Sequence, residues 1–146
     1  MTTRTTTPAR TAPSAAPPGR LTVFAVLTGL TALAIFLQAV TAGEFVSQPG
    51  RDSWVTVHGV IADVSWGLAL GTALYAAITL RRVVPRLVLA AAVLFVLTLA
   101  QTGIGHLITD DNQNGWIAVH VPLAFVIFGL TLWLAVRAAL ARRAAR

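Results

Sequence analysis

Four long apolar runs, at about 21–42, 54–80, 87–108 and 116–137, take up most of this chain. Each reaches the roughly 20 residues that a helix needs to cross about 30 Å of hydrocarbon. Lipid offers no partner to a bare backbone, so segments of this kind must close their own hydrogen bonds as helices. The balance of residues agrees: 56% are hydrophobic and 11% charged, against roughly 25% charged in a soluble domain. A soluble globule is thereby excluded. With no cysteine, disulfide scaffolding, thiolate catalysis and iron–sulfur ligation are excluded too. The 146 residues are expected to form one compact unit.

The net charge of +6 comes from eleven basic residues, all arginine. A nucleic-acid partner is not expected, because the arginines cluster at the ends of apolar runs without interleaved aromatics. Three lie in the N-terminal tail, three in the 81–86 loop (Arg81, Arg82, Arg86) and four from Arg137 onward, whereas Arg51 stands alone on the opposite side. The positive-inside rule then predicts a multi-pass protein of the cytoplasmic membrane with both termini cytoplasmic. Residues 1–20, rich in Thr, Pro and Ala, read as a disordered tail, and 138–146 as a basic tail. The run from Leu21 is longer than a signal-peptide core, so cleavage is not expected. Pro49-Gly50, Pro85 and the stretch from Asp110 to Gly115 supply the turns. Trp54 and Trp116 stand at the outer boundary as belt residues.

The second and fourth runs repeat each other. The fourteen residues from Val57 to Leu70 align without gaps on Val119 to Leu132, with seven identities that include His58 and His120. Gln38 precedes His58 by twenty residues, and Gln101 precedes His120 by nineteen. Apolar alphabets match by chance in Val, Ala and Leu, but His and Gln are uncommon at such depth. We read a duplicated helical hairpin, and hence an all-α, up-down four-helix transmembrane bundle.

His58 and His120 each sit about four residues into a span, roughly 6 Å below the outer boundary at 1.5 Å per residue. Gln38, Gln101 and His106 fall in the same slab, while the other half of the bundle is almost purely apolar. Polar side chains at this depth are expected to face the bundle interior. In a ring of four helices the second and fourth are diagonal, with axes about 13–14 Å apart for neighbours about 9–10 Å apart. Two imidazoles reaching inward would leave the gap that a haem iron fills. Gln38 and Gln101 are candidates to fix the other ring nitrogens, and small residues (Gly59, Ala62, Gly103, Gly105) leave room for a flat macrocycle. His106, beside an acidic loop, reads as interfacial, with contact to a haem propionate as its other reading. Asp63 lies five residues beyond His58, about 140° around the helix. It reads as a protonated carboxyl joining two helices, bonded for example to Ser65 or Thr98, with a proton relay as the alternative.

The pattern of a Gln late in one span and Val-His early in the next, twice over, resembles one four-helix half of the haem A synthase family. It is also similar to short uncharacterised four-helix membrane proteins of actinobacteria, whose Ala-rich, Arg-only composition it shares. The resemblance covers about residues 24–135 and implies haem ligation by His58 and His120. The chain departs from the synthases in having one bundle rather than two, Val55 where they place a catalytic carboxylate, and no cysteine pair. Glu44 is the only outer carboxylate near the first hairpin that could substitute. Oxidation of a haem methyl by this chain alone is therefore not expected. The expectation is a small b-type cytochrome holding haem b through His58 and His120, in electron transfer or haem handling and not an enzyme on its own. The alternatives are an accessory subunit of a respiratory or other membrane complex, without cofactor, and a quinone or lipid-headgroup site using His106 and Gln101.

Overall fold

The computed structural model describes residues 17–47 and 52–144. They form four long helices: α1 (Pro18–Ser47), α2 (Asp52–Thr79), α3 (Pro85–Thr109) and α4 (Ile117–Ala144), with a short 3-10 turn at Asn114–Trp116 before α4. Among the described residues there is no strand. All four helices are long and apolar enough to cross a membrane, which makes this a multi-pass membrane protein by length and composition. The helices outrun the apolar runs at most ends, because a helix continues where its backbone bonds continue, past the edge of the hydrocarbon. Arg20, assigned from sequence to the tail, is already helical, and α4 carries on through Arg142 and Arg143. Residues 1–16 and the Pro49-Gly50 turn lie outside the described residues.

The turns follow from local chemistry. Between α2 and α3 the amides of Val83 and Val84 both donate to the carbonyl of Leu80, at 3.0 Å each. Val84 (φ −134°, ψ 60°) is outside the helical region, which a residue before proline avoids, and Pro85 opens α3, where its missing N–H costs nothing. Before α4, Asn112 adopts φ 55°, a left-handed conformation that asparagine tolerates better than most residues. Pro122 lies inside α4 and cannot donate to the carbonyl one turn earlier.

Each helix packs on two neighbours: α1 on α2 and α4, and α3 on α2 and α4. Across the diagonals, α1 to α3 and α2 to α4, no Cα atoms approach within 8 Å. The helices therefore form a closed ring. Its filled core lies at the Arg-rich end, built from residues three or four apart on each helix: Leu21 and Phe24, Ala69, Ala73 and Ala76, Leu87, Ala91 and Leu94, Leu134 and Ala138. The buried hydrophobic positions of α2 are alanines, clustered with larger side chains from its neighbours. In lipid little hydrophobic gain separates inside from outside, so this interdigitation holds the seams chiefly by dispersion. Thr28, Thr31, Thr72, Thr98 and Thr131 are buried midway, and each hydroxyl donates to a carbonyl of its own helix at 2.7–3.0 Å. No hydroxyl among these five is left unpaired.

Beyond that threonine layer the packing loosens. On α2 before Ser65, α3 after Thr98 and α4 before Ile127, no described residue is buried, and on α1 beyond Ile35 only Thr41 is. The bundle is thus dense at one end and open at the other. The paired histidines lie in the open half.

Candidate functional site

Two equivalent contacts tie the open half together. The Gln38 side-chain amide donates to the main-chain carbonyl of His58 at 2.7 Å, and that of Gln101 to the carbonyl of His120 at 2.9 Å. The sequence repeat thus has a structural counterpart: in each pair of helices one glutamine clamps the backbone that carries one histidine. These amides were expected to bond the imidazole nitrogens. They bond the backbone instead, because a glutamine on the adjacent helix meets the His main chain before its ring.

The His58 ring is held by different atoms. Its Nδ1 lies 3.1 Å from the main-chain carbonyl of Gln38 and 3.0 Å from Thr41 Oγ1. A carbonyl can only accept, so Nδ1 carries the proton. The lone pair is then on Nε2, the arrangement that orients an imidazole for metal ligation. Thr41 directs its own hydroxyl proton to its helix, with the carbonyls of Leu37 and Gln38 both at 3.1 Å. Phe45 meets the ring edge-on, with centroids 5.3 Å apart and planes at 81°. Neither Thr41 nor Phe45 was singled out from the sequence. The spacing Gln38, Thr41, Phe45 (three, then four) marks one helical face and could have flagged both.

His120 is packed but not pinned. Its Cε1 would stand 3.5 Å from a Cβ added to Gly105, so the ring lies close against α3. Its Nδ1 is buried with no hydrogen-bond partner, and so is Oε1 of Gln101. Buried polar atoms are nearly always paired, so these two orphans mark a place where a donor or acceptor from another molecule would be stabilised. Both imidazoles lie against the neighbouring helix of their own pair. Four of the five expected polar residues, His58, His120, Gln38 and Gln101, are brought into one layer.

His106 is not among them. Its ring stands outside the bundle, 62% exposed, with Nδ1 2.9 Å from Asp110 Oδ2 one turn on. The histidine, and after it a bond from Thr109, holds the Asp110 carboxyl below the usual aspartate range. Asp63 departs from expectation. It is exposed on the outer surface of α2, where its Oδ1 accepts from Trp66 Nε1 at 3.2 Å, and it does not staple two helices. The interior positions nearby go to Ser65 and Ala69, which leaves residue 63 on the opposite face. Ser65 bonds the carbonyl of Ile61 and Thr98 those of Leu94 and Phe95, so neither reaches Asp63. Among the described residues, no group of three or more His, Cys, Asp or Glu side chains could hold a metal ion. No family model, curated protein or solved structure matches the chain.

Proposed function

We propose that this protein is a small b-type haem protein of the cytoplasmic membrane: an up-down bundle of two similar hairpins, both termini cytoplasmic, in which His58 and His120 ligate one haem b. The observation that carries this reading is the fixed tautomer of His58, with Nδ1–H bound to the Gln38 carbonyl and Nε2 left as a free donor. Two further features fit. The two histidines lie on diagonal helices, and both are in the loosely packed half. A haem iron between two imidazoles would supply one-electron chemistry, the basis of electron transfer or haem handling. The chain's own contribution would be to hold one imidazole through Gln38 and Thr41, to set the backbone of both through the glutamine amides, and to surround them with a medium of low dielectric.

The test is an absorption spectrum of the detergent-extracted protein, oxidised and dithionite-reduced, from haem-replete cells. Low-spin bis-imidazole bands are expected, and they should be lost in His58→Ala and in His120→Ala while helicity and monodispersity persist. Colourless wild-type protein, or colour retained in either variant, would refute the proposal.

One observation favours a second reading. The unpartnered Gln101 Oε1 beside His120 would accept a hydrogen bond from a quinol or headgroup hydroxyl. His106, paired outward with Asp110, would take no part in such a site. Quinone retained without haem, and lost on Gln101→Leu, would select it.

A further inference from the structure

The Arg-rich end carries a feature unrelated to the histidines. A groove of about 360 Å³ opens on the outside of the α3–α4 seam, lined by Arg86, Leu89, Ala90 and Val93 of α3 and by Leu130 and Trp133 of α4. A second apolar hollow begins at the same Val93 and continues past Val96 and Leu97. Together they make one track along α3 from Arg86 to Val96, about 15 Å at 1.5 Å per residue. That is half of the roughly 30 Å hydrocarbon thickness, the depth of a single leaflet.

The head of the track is cationic. Arg86 lines it directly, and the Arg137 guanidinium lies 5.9 Å from the centroid of the Trp133 ring, a cation–π distance that keeps a second charge at the same mouth. Among the described residues no acidic side chain is near to neutralise them: the five acidic residues of the chain are Glu44, Asp52, Asp63, Asp110 and Asp111, and none belongs to this end. The first turn of α3 adds no acidic residue and no side-chain cap, so the positive end of its dipole points the same way. Elsewhere at this end, Arg20 is spent on the carbonyl of Thr79 at 3.2 Å.

We propose that the α3–α4 seam binds one anionic phospholipid, its phosphodiester held by Arg86 and Arg137 and one acyl chain lying along α3 past Leu89, Val93 and Val96. A long apolar track of leaflet depth, headed by two unneutralised guanidiniums, matches a molecule that joins a negative head to an alkyl chain. Basic pockets between transmembrane helices are known to take such headgroups.

The experiment titrates the full-length chain in detergent with phosphatidylglycerol or phosphatidylcholine and counts bound lipids by native mass spectrometry. One phosphatidylglycerol is expected to bind at least about tenfold more tightly than phosphatidylcholine, as two charges at roughly 1 kcal/mol each allow. The Arg86→Gln/Arg137→Gln variant should bring the two lipids within about twofold. Arg81→Gln/Arg82→Gln removes the same charge from exposed positions in the neighbouring turn and should leave the preference intact. Val93→Trp keeps both arginines but fills the track, so it should weaken both lipids. Glycerophosphoglycerol, a headgroup without chains, should not displace the bound lipid at millimolar concentration. Equal loss in the two arginine pairs, tight binding of phosphatidylcholine, full affinity in Val93→Trp, or displacement by the free headgroup would each overturn the proposal.

Discussion

Replacing Gln38 by Leu deletes a 2.7 Å hydrogen bond to the His58 carbonyl and leaves the side-chain volume nearly unchanged. That carbonyl keeps its ordinary helical partner four residues on, so no acceptor is orphaned. The loss is therefore the net worth of one bond between helices in lipid, which averages about 0.6 kcal/mol and reaches about 1.7. We expect about 1 kcal/mol for Gln38→Leu and the same for Gln101→Leu, whose bond to the His120 carbonyl is 2.9 Å. The two glutamines sit on diagonal helices that do not touch, so the double variant should lose about 2 kcal/mol, additive within about 0.5. Reversible unfolding in mixed micelles, or steric trapping in bicelles, measures all three. The His58 ring is bound to the Gln38 main chain rather than its amide, so the spectrum expected of wild type should survive Gln38→Leu. A loss above about 3 kcal/mol from either single change would refute the clamp as described, and so would a marked departure from additivity.

Two other outcomes follow from the packing and the outer loop. Ala76 is fully buried where α2 meets its neighbours, so Ala76→Leu should overpack the dense end and cost about 1–3 kcal/mol in the same unfolding assay. Asp110 should titrate below the ordinary aspartate range when followed by carbonyl NMR, and His106→Ala should return it toward that range. Because its folded pKa is depressed, any stability it lends is present above the unfolded value near 3.9 and is lost as pH falls through the folded one.

The four spans could be read directly from the chain, because bilayer thickness dictates how long an apolar run must be. The pairing of Gln38 with His58 and of Gln101 with His120 was also legible, through matched spacing within a repeat. The atoms involved were not. Spacing places residues near one another but says nothing about whether an amide meets a ring or a main-chain oxygen. Cost in lipid alone points Asp63 inward, whereas the buried face of α2 is set by Ser65, Ala69, Thr72 and Ala76, and their phase leaves position 63 outside. The fixed His58 tautomer depended on a backbone carbonyl, and main-chain partners leave no trace in side-chain patterns. His106 shows the converse: its depth matched the other four, yet its helical phase turned it to the loop.

The contrast between the compact Arg-rich end and the slack opposite end has a practical corollary. The tight half should keep the molecule assembled on its own, so any compound that settles among His58, His120 and Gln101 adds its binding energy to folding by mass action. At a thousandfold excess over the dissociation constant that increment is about 4 kcal/mol. Melting temperature then works as an unbiased detector, and a screen of porphyrins, quinones and lipid heads would rank candidate guests by how far each one raises it.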